Sequence, residues 1–439
     1  MNQLAKELSQ YLTQPDDEVD FRIQSGIEMY RKGWAKLNIV NAKGEAVKNA
    51  AVNYKQLDHD YLFGCNAFMI NQFKSIEQNR QYEETFAKVF NHAVIPFYWS
   101  DLEPEDGKVR FAAGSKPDIY RRPPPDEVLD FCKRKNITPK GHPLCWHLYH
   151  PVWTPRDSAL LMERLEQRIS EIAARYGKSI KIWDCVNETL TRYPLARNDV
   201  PAYPDDYAEQ AFHIAQRYLP HAKLICNDDN KWWNFQGDYS PVYMLLDRLK
   251  EHGCNVGGLG LQYHMFQHLL AEADLFMNPR VILKMLDLYA KLKVPVNFSE
   301  VSIISRRDLG DGDLFQELVT EKLYKLWFSH PVTDSIVWWN LVDGTAAGAP
   351  AGSEDGENSL RAGLVNYDFT PKAAYRALDK LINHEWRTNG KLEYADGEAN
   401  QIHGFFGRYE LEVATDTGKV KTEIHLHKNS PNIFTVNVK

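Results

Sequence analysis

The sequence predicts an α/β protein built on a closed (β/α)8 TIM barrel, with small β-rich, sandwich-like additions at its N- and C-terminal ends. Three observations carry this. Eight short apolar runs recur between residues 61 and 343, spaced by polar loops and amphipathic segments; strands alternating with helices in this way build a parallel sheet. The ends of these runs are dense in His, Asn, Trp and Glu, which suits the C-terminal mouth of a barrel, where sites are built. No Gly-rich phosphate loop follows the first run, as a doubly wound open sheet would usually show.

Taken in order, residues 1–19 read as a helical lead-in, with Leu4, Leu8 and Leu12 at helical spacing and Pro15-Asp-Asp-Glu18 as its stop. The runs 36–40 and 50–54 flank the turn Asn41-Ala-Lys-Gly44 and read as strands. Barrel strands are expected at 61–68, 93–99, 139–146, 180–188, 222–227, 258–264, 295–301 and 334–343. Helices are expected at 158–176, 205–218, 241–252, 279–292 and 314–328, with a closing helix over 371–383. Beyond it, 407–413 and 420–426 alternate with period two around Thr415-Asp-Thr-Gly418, and 432–438 adds a strand. Isolated hairpins are marginal, so these strands are expected to pack with those of residues 30–57. Phe405, Phe406 and Tyr409 read as exposed aromatics beside a Gly404/Gly407 turn, marking packing rather than binding. The expected domains are 1–57 (lead-in and strands), 58–388 (barrel) and 389–439 (β-module).

The 439 residues leave room for one barrel and something smaller, and 44% hydrophobic with 25% charged residues is ordinary for a folded chain. The net charge of −7, without a basic stripe, excludes nucleic acid as an expected partner. No apolar run reaches membrane-spanning length, so no membrane partner is expected. The 6 cysteines are scattered without a CxxC pair and read as small buried hydrophobes. The first 21 residues lack the apolar core of a secretion signal, so the chain reads as cytoplasmic, or as secreted had a leader been removed. Oligomeric state is not readable.

The chemistry lies at two strand ends. Ile180-Lys-Ile-Trp-Asp-Cys-Val-Asn-Glu188 and Pro295-Val-Asn-Phe-Ser-Glu300 each close an apolar run on a carboxylate. Two carboxyl groups facing each other across a barrel mouth suit glycosidic bond cleavage: one protonates the leaving oxygen, the other attacks or activates water. His142, His147 and His150 raise zinc as a rival, but no carboxylate ligand falls beside them, so no metal and no cofactor is expected. Asp228-Asp229 reads as a polar cap on its strand rather than a cation site.

Five motifs in order resemble the glycoside hydrolase family 10 xylanases, over roughly residues 20–385. Gly141-His-Pro-Leu-Cys-Trp-His147 is similar to that family's GHTLVWH, and Trp183-Asp-Cys-Val-Asn-Glu188 to WDVVNE. Gly260-Leu-Gln-Tyr-His264 resembles its GxQxH strand, and Glu300 falls at its nucleophile. Pro371-Lys-Ala-Ala-Tyr-Arg-Ala-Leu378 resembles its closing helix. The resemblance implies a retaining enzyme acting by double displacement on β-1,4-xylan or xylo-oligosaccharides. Glu188 would be acid/base and Glu300 nucleophile, with Asn187 on the sugar 2-hydroxyl and His264 orienting Glu300. His142, Trp146, Gln262 and Trp339 would line the sugar under attack. Consecutive strand residues face opposite ways, so Trp338 would pack while Trp339 faces the site.

The second strand departs from the pattern. The family carries a Glu-Asn pair and a Lys-Trp there, gripping the sugar one unit further from the cut. In Asn91-His-Ala-Val-Ile-Pro-Phe-Tyr-Trp-Ser-Asp-Leu-Glu-Pro-Glu-Asp-Gly107 the Glu-Asn pair is gone and Tyr98 replaces Lys, while Trp99 is kept. Lost hydrogen bonds to buried hydroxyls change specificity strongly. Tyr98 and Trp99 are therefore candidate contacts of an altered subsite, and the loop 344–359 a lid over it. The alternatives are a different β-glycan, an oligosaccharide or an aryl or plant glycoside as substrate, or a non-catalytic carbohydrate-binding barrel.

Overall fold

The computed structural model describes residues 1–190, 203–229, 231–235, 238–266, 269–416 and 418–438. Its strands are β1 (Lys32–Val40), β2 (Asn49–Gln56), β3 (Leu62–Asn66), β4 (His92–Pro96), β5 (Thr138–His142), β6 (Ile182–Asn187), β7 (Lys223–Asp228), β8 (Gly258–His264), β9 (Val296–Ser302), β10 (Thr333–Trp338), β11 (Asn389–Ala395), β12 (Gln401–Phe405), β13 (Gly407–Ala414), β14 (Lys419–Leu426) and β15 (Ile433–Asn437). β3 to β10 pair in parallel and close into a barrel through β10 and β3, with Ser335 opposite Leu62 and Ile336 opposite Phe63. The (β/α)8 architecture expected from the strand–helix alternation is thus present, with the barrel strands ending earlier than the apolar runs do at β3, β4, β5 and β10. The chain beyond them, including Phe68, Trp99, Trp146 and Asp343, is mouth rather than sheet.

Helices surround the barrel because they bury apolar faces against it, and several have capped starts. The Ser158–Tyr176 helix is N-capped by Asp157, which accepts from the Leu160 amide at 3.0 Å, and buries Leu161, Leu165, Ile169 and Ile172. Its Arg168 is also buried and donates to the carbonyls of Leu144 (3.2 Å) and Phe97. The helix thereby braces the turns after β4 and β5. Burial pushes the Arg168 guanidinium down to about 10.

The lead-in differs from expectation. Residues 15–18 do end the Gln3–Thr13 helix, but they also start another, Asp17–Arg31. Asp16 is its N-cap, accepting from the Val19 amide at 3.2 Å, and Asp17, Glu18 and Asp20 load its first turn with negative charge. Only Val19, Gly26 and Arg31 of this helix are buried, so it lacks the apolar stripe by which helices announce themselves.

The remaining strands form two facing sheets, β12-β1-β15 and β11-β2-β13-β14. Leu37 and Ile39 of β1, Val52 of β2, and Leu411, Val413 and Leu426 fill the space between them. Strands from before and after the barrel therefore share one core. Phe405 and Tyr409 are buried, contrary to their reading as exposed aromatics, and the Tyr409 hydroxyl donates to the Phe405 carbonyl at 2.6 Å. All six cysteines are buried and free. Among the described residues no helix is long and apolar enough to cross a membrane.

Candidate active site

The register of β6 to β9 brings the polar strand ends together. Asn187 pairs with Asn227 across β6 and β7, and Gln262 with Glu300 across β8 and β9, where the ladder slips between Leu261 and Gln262. Such an irregularity re-aims side chains, and here it sets Gln262 beside Glu300. Asn227 needs room as well: a Cβ on Gly260 would stand 2.2 Å from its Oδ1.

Around Glu300 the result is a ring of donors. Asn227 Nδ2 donates to Glu300 Oε1 at 2.9 Å and to Asn187 Oδ1 at 2.7 Å. Gln262 Nε2 donates to Glu300 Oε1 and to Glu188 Oε1, 3.1 Å each, so one amide nitrogen joins both carboxylates. His264 Nε2 lies 3.3 Å from Glu300 Oε2, and its Nδ1 lies 2.9 Å from the Ser302 hydroxyl. A carboxylate only accepts, so Nε2 carries the proton and Nδ1 accepts from Ser302.

Glu188 follows the last residue of β6 in a left-handed conformation (φ 50°), and its amide donates to the Asn227 carbonyl at 2.8 Å. A non-glycine residue held there is strained, and such strain gathers at functional sites. Burial, the facing Glu300 and the nearby Asp229 push the Glu188 carboxyl well above the usual carboxylate range, outweighing the Gln262 hydrogen bond.

Behind this ring, His142 Nδ1 lies 2.7 Å from Asp184 Oδ2, and Lys140 Nζ lies 2.9 Å from Asp184 Oδ1. Burial opposes the Asp184 charge, but Lys140 and His142 prevail and hold its carboxyl below the usual range. His142 Nε2 stands 4.0 Å from Glu300 Oε1. Among the described residues, the buried atoms His142 Nε2, Trp146 Nε1 and Asn187 Nδ2 have no hydrogen-bond partner.

Of the residues singled out in the sequence, Glu188, Glu300, Asn187, Gln262, His264 and His142 form this one group. Trp339 turns its ring to His142 (5.5 Å) and His264 (6.3 Å), while Trp338 is buried and donates to the Ala362 carbonyl. Tyr98 and Trp146 flank His142 at 5.4 and 6.5 Å. Trp99 belongs to a different neighbourhood: its indole donates to Glu103 at 3.0 Å and packs on Trp153 and Arg168. His147 and His150 also stand apart, the first against Tyr207 and the second on the His147 carbonyl. Asp228 accepts from the Leu190 amide, as a strand-end cap does. Among the described residues no cluster of His, Cys, Asp and Glu could hold a metal. Asn227, Asp184, Lys140 and Ser302 were not singled out in the sequence; all four sit on barrel strands and touch residues that were, Lys140 by way of Asp184.

A closed barrel with two carboxylates sharing a donor at its C-terminal mouth has the arrangement that glycoside hydrolases use. The sequence model of glycosyl hydrolase family 10 matches residues 53–381, and the chain belongs to that family. Endo-1,4-beta-xylanase 2 of Arabidopsis thaliana is 25% identical over an alignment of 456 residues that takes in 97% of this chain and 38% of that protein. Beta-1,4-xylanase of Dictyoglomus thermophilum is 29% identical over 56% of this chain and 72% of its own length. The chain thus spans well under two thirds of the Arabidopsis protein, and only 34% of endo-1,4-beta-xylanase A of a Caldicellulosiruptor strain. The crystal structure of native xylanase 10B from Thermotoga maritima shares the fold, with a TM-score of 0.60 and 24% identity over 74% of this chain and 96% of that one.

Proposed function

We propose that the protein is a retaining glycoside hydrolase that cleaves β-linked, xylan-type glycosides by double displacement. The observation that carries this reading is the Gln262 amide donating to Glu188 and Glu300 alike, 3.1 Å from each. The two nearest carboxylate oxygens are then no more than about 6 Å apart, which favours the ~5–5.5 Å spacing of retaining enzymes over the ~6.5–9.5 Å of inverting ones.

The roles follow from the environments. Glu188, whose carboxyl is pushed well up, holds the proton that a general acid must give to the departing oxygen. Glu300, faced by Asn227, Gln262 and His264, attacks the anomeric carbon and forms a glycosyl ester. Glu188, now a carboxylate, takes a proton from the water that breaks this ester. Asn187, His142 and Trp146 each carry a buried polar atom without a partner, which suits sugar hydroxyls; His142, with its proton on Nδ1, offers Nε2 as an acceptor. Trp339 supplies a flat aromatic face. Trp99 is left out of the substrate contacts.

The test is hydrolysis of β-1,4-xylo-oligosaccharides, products resolved by mass, with Glu300→Ala alongside and the first product's anomer read by NMR. Cleavage giving the β-anomer, and lost in the variant, is expected. An α-anomer as first product, or an unaffected variant, would overturn the mechanism.

A further inference from the structure

The two flanks of the carboxylate pair are built differently. On the side of β4 and β10 the space is filled. Tyr98 is 4% exposed, Phe68 is fully buried, and with Val94 and Val337 they make a separate apolar cluster on which Trp146, Tyr149 and Trp339 pack. The Arg122 guanidinium lies 3.7 Å from the Tyr98 ring centroid and is held by Asp101 at 2.7 Å. Arg121, 3% exposed, crosses to the turn after β10 and donates to Asn340 Oδ1 at 2.8 Å and to the Thr345 carbonyl. The loop 344–359, expected as a lid, is thereby tied at its base to the segment that carries both arginines.

On the other flank a cavity of about 510 Å³ is lined by Gln262, His264, Asp229, Trp233 and Phe266, the last stacked on His264 at 4.5 Å. The leaving oxygen takes its proton from Glu188, so the leaving group lies on the Glu188 side. Gln262, which donates to Glu188 and Glu300 alike, belongs to this cavity's wall, and so does Asp229, whose charge acts on Glu188.

We propose that the site accepts a single sugar on the glycone side and an aromatic or otherwise apolar leaving group on the other, so that it removes monosaccharides one at a time from non-reducing ends or from small glycosides. This deepens the activity proposed above and rests on it. A second glycone sugar would have to displace Tyr98 and Phe68 from a packed, buried cluster, and would meet apolar side chains where its hydroxyls need partners. The aromatic rings of Trp233 and Phe266 suit a flat leaving group instead.

The experiment compares kcat/KM for 4-nitrophenyl β-glycosides of xylose and glucose with those of the matching β-1,4-linked disaccharides, with Glu300→Ala as control. The single-sugar glycoside of at least one series is expected to be preferred tenfold or more. Reducing-end-labelled xylohexaose should shorten by one sugar at a time. Equal or preferred cleavage of a disaccharide glycoside, with the disaccharide released whole, would overturn the proposal while leaving the catalytic reading intact. Cleavage of none of the four would overturn the catalytic reading, and this proposal with it. If the Tyr98→Ala/Arg122→Ala variant folds, it should narrow the preference at least threefold; an unchanged ratio would show that this cluster does not set it.

Discussion

Replacing Asp184 by Asn tests whether the polar floor of the site is held by charge. The Asp184 side chain is 1% exposed and its partners Lys140 and His142 are 2% and 1% exposed, so the substitution leaves an ammonium buried without its counter-charge. Removing one partner of such a pair costs about 3–5 kcal/mol. Asn keeps the volume and one acceptor, which points to the lower end, about 3 kcal/mol, or a fall in Tm of roughly 3 °C for a chain of 439 residues. Urea unfolding followed by tryptophan fluorescence would measure it. The sign with pH is fixed. The Asp184 carboxyl lies below its ordinary value when folded, so its contribution is present above about pH 4 and is lost as pH falls through the folded value. The gap between the two proteins should be constant from pH 5 to 8 and narrow below pH 4. Catalysis should suffer separately, because an Asn amide can donate to His142 Nδ1 and move the imidazole proton to Nε2, 4.0 Å from Glu300. A cost below about 1 kcal/mol would refute the reasoning. So would a Lys140→Met/Asp184→Asn double variant whose loss equals the sum of the single losses, since a coupled pair must be non-additive.

Two further outcomes follow from the same geometry. The raised Glu188 carboxyl favours the protonated folded state, so the wild type loses stability as pH rises from the unfolded Glu value of about 4.3 towards the folded one; the Glu188→Gln variant should match it near pH 4 and unfold at a higher temperature at pH 7, and equal Tm values at pH 7 would count against the burial and repulsion assigned to this group. Removing residues 389–438 strips β12 and β15 from β1, and β11 and β13 from β2, and uncovers Leu37, Ile39 and Val52; the shortened chain should aggregate or bind a hydrophobic dye, and a soluble, cooperatively folding product would show that the β1 and β2 strands do not need that cover.

The legible part of the molecule was the part written in short-range pattern. A barrel strand is a run of apolar residues ending in polar ones, so Glu188, Asn187, Gln262, His264 and Glu300 could be placed on strand ends from the sequence. The alternation of Gly407–Ala414 and Lys419–Leu426 likewise signalled a hairpin. Other features depend on what stands opposite. Asp16 stands in a segment that read as a stop but caps the next helix, and the packing of Gly26 against Ser329 and of Arg31 against Phe328 holds that helix in place despite its exposed Phe21 and Met29. Trp99 follows Tyr98 directly, but its indole points to Glu103 while the Tyr98 ring faces His142. Arg121 and Arg122 lie in a Pro-rich loop with no periodicity, and their contacts run to Asn340 and Asp101, residues remote from them in the chain.

Those two arginines explain why the departure at the second strand involves more than one residue. A lysine at position 98 would set its ammonium against the Arg122 guanidinium, now 3.7 Å from the ring centroid, with Arg121 beside it. In a buried setting like charges repel strongly, and Asp101 is already engaged by Arg122. The tyrosine, in contrast, offers the guanidinium an aromatic face, which attracts it. His142 sits at the boundary between the two halves: its Nδ1 reaches Asp184, its Nε2 faces Glu300, and its ring edge meets Tyr98 and Trp339. The hydrogen-bonded half and the apolar half therefore meet on one side chain. Converting the apolar half to a sugar-gripping surface requires restoring the lost Glu-Asn pair as well as changing Tyr98, Arg121 and Arg122, whereas the carboxylate network on β6 to β9 can stay as it is.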